Sequence, residues 1–169
     1  PAMHVWPVLY KSADDLPAII PVFPLSGAVF FPRANLPLNI FEPRYLAMVD
    51  DAMRTQRIIG MIQPAGEGAR PPLHAVGCAG RITQYGETDD GRMVISMRGI
   101  CRFRVGEELT VMTPYRQVRA DYAPFAEDFR EAEPLFLRAR ALWLRALGPD
   151  HPRVAAAIHH LGEVAESAG

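Results

Sequence analysis

Up to about residue 124 apolar side chains tend to alternate with polar ones; beyond it they fall at helical spacing. Residues 18–25, AIIPVFPL, form a β-prone run punctuated by proline. Proline cannot donate to a sheet ladder, so the run predicts an edge strand or the start of a strand. Ser26-Gly27 reads as a turn, residues 29–32 as a short apolar run ending in proline, and residues 36–41, LPLNIF, as another strand. Pro43 stands where proline suits the first turn of a helix. The helix follows over 44–55, with Tyr45, Leu46, Met48, Val49, Ala52 and Met53 at helical spacing. Residues 58–63, IIGMIQ, predict a short buried strand, and 64–72, with three prolines and two glycines, a loop. Two strands over 77–85 and 92–98 flank an Asp90-Gly91 turn signal. Further strands are expected over 101–105, where Cys101, Phe103 and Val105 alternate with Arg102 and Arg104, and over 115–122.

After Pro124 the period changes. Residues 131–147 place Leu135, Phe136, Ala139, Leu142, Trp143 and Ala146 on one stripe, and Gly148 suits the end of that helix. Asp150 and Pro152 then open a last helix to about residue 167. The expectation is a mixed α+β architecture. A small, closed or nearly closed β-barrel with one inserted helix occupies about 15–123, and a helical hairpin about 126–167.

Composition removes several classes of function. The 169 residues carry a net charge of −1, and neither part of the chain is strongly charged. A nucleic-acid or membrane-surface domain usually shows a lopsided balance. There are 17 arginines but a single lysine, Lys11, with no glycine nearby. A phosphate-cradling loop needs Gly-rich backbone before Lys-[Ser/Thr], and a Ser–Lys dyad needs a desolvated lysine, so neither chemistry is expected. No Cys or His pair has zinc-ligand spacing, and no serine sits in a Gly-x-Ser-x-Gly elbow. Neither metal nor cofactor is expected. Cys78 and Cys101 read as reduced core thiols. No basic segment precedes a long apolar run, so no signal peptide or membrane span is expected, and the cytoplasm is the default location.

Ile20-Pro21-Val22-Phe23-Pro24-Leu25, then Val29-Phe30-Phe31-Pro32, then Leu36-Pro37-Leu38-Asn39-Ile40-Phe41-Glu42-Pro43-Arg44-Tyr45 closely resemble the opening of the Lon N-terminal domain. The likeness continues through Gly60-Met61-Ile62-Gln63, Leu73 to Cys78, Arg98 to Phe103 and Pro114-Tyr115, in order, over about residues 18–122. The resemblance implies a PUA-like β-barrel that engages unfolded or damaged protein segments without chemistry of its own. It also implies a stand-alone form, in which any degradation falls to a separate protease or chaperone.

Phe30, Phe31, Phe41, Glu42, Arg44 and Tyr45 are the candidate peptide-binding residues. The segment 41–45 could form one lip of a polypeptide groove. It could equally place Glu42 and Arg44 to balance charge at the helix start. The phenylalanines could line an apolar groove or fill the barrel, and an edge strand could accept a peptide by β-augmentation. A rival expectation is RNA or small-ligand binding on the Arg98, Arg102 and Arg104 face. Base stacking needs aromatics on that same face, however, and alternation puts Phe103 opposite. The stripe around Trp143 offers a self-complementary surface for a homodimer.

Overall fold

The structure is a computed structural model that describes residues 10–130. The chain divides into two compact units, Pro1–Phe129 and Arg130–Gly169. The two helices and the dimer stripe expected beyond residue 131 lie outside the described residues.

The described residues of the first unit form six strands and one helix: β1 Ile19–Pro24, β2 Asn35–Ile40, α1 Pro43–Arg54, β3 Ile58–Ile62, β4 Val76–Glu87, β5 Met93–Glu108 and β6 Arg116–Asp121. A 3-10 turn, Ala13–Asp15, precedes them and a second 3-10 segment, Ala123–Phe129, follows. The fold is therefore α+β and dominated by its sheet. The strands hydrogen-bond in the order β2-β5-β4-β3-β1-β6, and β6 also pairs with β5. Five strands thus close a ring, β5-β4-β3-β1-β6, and β2 joins it by pairing with the first half of β5.

β5 departs from the sequence expectation. The two runs 92–98 and 101–105 are one strand of 16 residues. Gly99, between the two expected strands, lies inside it. A Cβ there would stand 1.9 Å from the Phe31 carbonyl oxygen, so only glycine lets the incoming chain approach so closely. β5 runs past two neighbours on one edge. Met93 to Arg98 pair with β2, and Arg104 to Glu108 pair with β6. Among the described residues, the intervening stretch has no strand beside it there. Arg33 N–H donates to the Gly99 carbonyl (2.8 Å), and Gly99 N–H donates to the Ala34 carbonyl (2.9 Å).

Apolar side chains form two clusters. One gathers Tyr45, Met48, Val49 and Ala52 of α1 against Phe23, Ile40, Ile59, Met61, Ile82, Ile95 and Met97. The other gathers Ile20, Val22, Ile58, Ile62, Cys101, Phe103, Val118 and Tyr122. β3 is buried at every residue and sends alternate side chains to the two clusters, Ile59 and Met61 one way, Ile58 and Ile62 the other. Its parallel pairing with β1 suits this, since parallel strands are normally covered on both faces. α1 presents Tyr45, Met48, Val49 and Ala52 inward, as the spacing predicts, with Pro43 in its first turn. Among the described residues no helix is long and apolar enough to cross a membrane.

Candidate functional site

The start of α1 carries a three-layer stack. The Phe23 and Tyr45 rings are parallel at 4.1 Å, and the Arg44 guanidinium lies over the Tyr45 ring at 4.7 Å. Arg44 Nε donates to Glu42 Oε2 at 3.0 Å, so Glu42 holds the guanidinium in place rather than capping the helix with its side chain.

Facing this stack is the 64–72 loop. Ala65 N–H donates to the Pro72 carbonyl (2.7 Å), and a bridge joins Pro64 to Leu73. From β6, Arg116 Nη1 donates to the Pro71 carbonyl at 2.7 Å, which ties the loop to the ring. Arg116 also grips Glu108 through Nε (2.7 Å) and Nη2 (2.8 Å), and Arg70 reaches the same carboxylate at 2.7 Å. These contacts, Arg116 foremost, hold the Glu108 carboxyl down at about 2. Tyr115 donates its hydroxyl to Asp51 Oδ2 at 2.6 Å, fixing the end of the β5–β6 connection against α1.

Between stack and loop lies a cleft of about 130 Å³. Pro24, Pro64, Pro71 and Pro114 supply rigid apolar walls, and Arg44, Tyr45, Tyr115 and Arg116 supply the polar groups. Ligand pockets usually run to roughly 300–1,000 Å³. This cleft fits one side chain.

The six residues singled out from the sequence occupy two places. Arg44 and Tyr45 line the cleft and Glu42 braces Arg44, with Phe41 exposed beside them (64%). Phe31, 60% exposed, lies at the other end of β2, where its carbonyl abuts Gly99. Six residue steps along β5, from Met93, opposite Ile40, to Gly99, separate the two ends by about 20 Å. Phe30 is half-buried, with its ring over Gly80 at the edge of the α1 cluster. Glu108, Arg116, Asp51 and the cleft prolines were not singled out. They come together only through pairing across the ring, and no local pattern marks Glu108 or Arg116.

On the outer face of β5, Arg98 and Arg104 are exposed, while Phe103 is fully buried on the opposite face. Arg102 is engaged by Asp128 and Glu127 and lies over the Phe125 ring at 4.6 Å. The basic stripe is therefore broken at its centre by the Ala123–Phe129 segment.

Comparison with known proteins identifies the fold that carries this cleft. Residues 19–146 match the family described as the ATP-dependent protease La (LON) substrate-binding domain. The chain belongs to that family. The Lon protease of Anaeromyxobacter dehalogenans is 28% identical over 98% of this chain and 21% of its own length. Lon protease 2 of Myxococcus xanthus is 28% identical over 90% of this chain and 20% of its own. The chain thus spans about a fifth of the length of these Lon relatives. The crystal structure of a Lon N-terminal domain protein from Xanthomonas campestris is 31% identical, with a TM-score of 0.51 over 62% of this chain and 59% of that one. The N-terminal domain of the Mycobacterium avium complex Lon protease shares the fold at 19% identity, with a TM-score of 0.55 over 83% and 75% of the two chains.

Proposed function

We propose that this domain binds extended polypeptide segments and performs no chemistry on them. The membership of residues 19–146 in a substrate-binding family carries the reading, and the one-side-chain cleft supports it. A binder of unfolded segments needs shallow, sequence-tolerant contacts rather than an enclosed pocket. β2 adds a second means. Among the described residues it pairs only with β5 and leaves its other edge open, although Pro37 removes one donor from the strand. The Phe41–Tyr45 lip, rather than Phe30 and Phe31, borders the cleft. In this reading the closed ring is a PUA-like β-barrel working in the reducing cytoplasm. Cys78 and Cys101 are free thiols raised to about 12 by burial, and so unreactive there. A separate protease or chaperone would act on whatever is bound.

The test is a fluorescence-anisotropy titration against a labelled, permanently unfolded polypeptide, with a folded control. Micromolar binding to the unfolded chain alone supports the reading. Equal binding to both, or to neither, removes it.

A further inference from the structure

We infer that the cleft beside α1 is a carboxylate pocket, built to take the acidic side chain of an Asp or Glu residue in an extended polypeptide. The inference rests on the polypeptide-binding reading and adds the chemistry of what is bound.

Tyr45 is the first observation. The residue is only 7% exposed and lines the cleft, yet its hydroxyl has no hydrogen-bond partner among the described residues. A hydroxyl on a cleft wall without a protein partner is left to water, which an acceptor entering the cleft can replace. Tyr115, close by on the same cleft, shows the ordinary solution by donating to Asp51. Burial raises the Tyr45 phenol above its ordinary value, with Arg44 opposing that, so at neutral pH it remains a donor in need of an acceptor.

The charge of the lining is the second. Arg44 and Arg116 both face the cleft, whereas the acids that pair with them, Glu42 and Glu108, are not part of its wall. Arg44 spends only Nε on Glu42, and its two Nη groups take no partner among the described residues. Its ring contact with Tyr45 holds that fork in a set orientation. A phenolic donor, a free guanidinium fork and a second fixed cation call for an anionic oxygen pair, and planar guanidinium suits a carboxylate. The proline walls then accept the one or two methylenes that carry it. The volume, about 130 Å³, admits such a side chain and little more.

The experiment pairs a change in the protein with a change in the ligand. Labelled, unstructured peptides, acetylated and amidated so that no terminal carboxylate is present, are made with Glu or with Gln at one position. They are titrated against the protein and its Tyr45→Phe variant, which removes the hydroxyl but keeps the stacked ring. The expected result is about tenfold tighter binding of the Glu peptide, the scale of one hydrogen bond to a charged group, with most of that preference lost in Tyr45→Phe. Peptide binding that ignores Glu→Gln, a preference unchanged in Tyr45→Phe, or binding that requires a free C-terminus each overturns the inference and leaves polypeptide binding standing. Should the wild-type protein bind no unfolded chain, the functional reading falls separately. Acetyl-glutamate methylamide, followed by NMR, then decides the pocket. A shift at Arg44 Nε in the wild-type protein that is lost in Tyr45→Phe supports it, and no shift refutes it.

Discussion

The backbone N–H of Arg102 donates to the side-chain carboxylate of Asp128 at 2.9 Å, on the stretch of β5 between its pairings with β2 and β6. The same carboxylate takes Arg102 Nε (3.0 Å) and Nη2 (2.8 Å), and the Asp128 carbonyl accepts from Arg33 Nη2 at 3.0 Å. A side chain thus takes a backbone amide that a neighbouring strand would otherwise take. It fills the gap between β2 and β6 and pins the Ala123–Phe129 segment across it. Burial alone would raise the Asp128 carboxyl, but the bonds from Arg102 outweigh it and keep it below its ordinary value.

Replacing Asp128 by Ala should free that segment and leave a β5 amide without a partner, at about 1–3 kcal/mol. Cys78 reports the opening. It stands directly opposite Arg102 on β4, hence on the same face, and is buried. In a Cys101→Ala background, Asp128→Ala should speed the reaction of Cys78 with a thiol reagent by tenfold or so at equal concentration. An unchanged labelling rate would show that something other than this segment shields the thiol.

Two glycines should behave very differently. Gly99→Ala drives a methyl into the Phe31 carbonyl and should cost about 3 kcal/mol or more, at the upper end of overpacking. Gly91 has a positive φ of 82° but open space around it, so Gly91→Ala should cost about 1 kcal/mol of backbone strain. Urea midpoints of the two variants, at equal slope, provide the comparison.

Glu108 gives the fold a pH dependence of definite sign. Its folded value, about 2, is depressed below its ordinary 4.5, chiefly by Arg116 and then by Arg70. Its stabilising contribution is therefore complete above about pH 4.5 and fades as pH falls toward 2. Glu108→Gln should lower the urea midpoint at pH 7 and converge on wild type near pH 2. A gap that stays constant across that window would mean the charge plays no part.

Exposed aromatics at the two ends of β2 separate the cleft from the seam. Phe41→Ser should weaken binding of an unfolded polypeptide several-fold, roughly 1 kcal/mol, as the loss of an interface aromatic does. Phe31→Ser, about 20 Å away along the strand, should leave it within twofold. The reverse order, in the same anisotropy titration, would move the binding surface to the Gly99 end.

Local pattern carried much of this architecture. The period of α1, the continuous apolar run of β3 and the Asp90-Gly91 turn are visible in single stretches of chain, because each records which face its own residues bury. The sequence predicts two strands where β5 runs unbroken, since nothing local shows that the glycine between them lets the Phe31 carbonyl approach. Within the candidate site, the 41–45 lip was legible through its resemblance to a family. The opposite wall was not. Arg116, Glu108 and Pro71 meet only once β6 has paired with β5, and Asp128 lies in a segment whose short 3-10 turns leave no periodic trace.

β3 has a bearing on how the molecule comes apart. Because Ile59 and Met61 belong to one cluster and Ile58 and Ile62 to the other, neither cluster can loosen without uncovering a face of the same five residues. The ring and its helix should therefore melt in a single cooperative transition. The amides of β3 should exchange with deuterium only through global unfolding, making the shortest full strand of the ring its slowest clock.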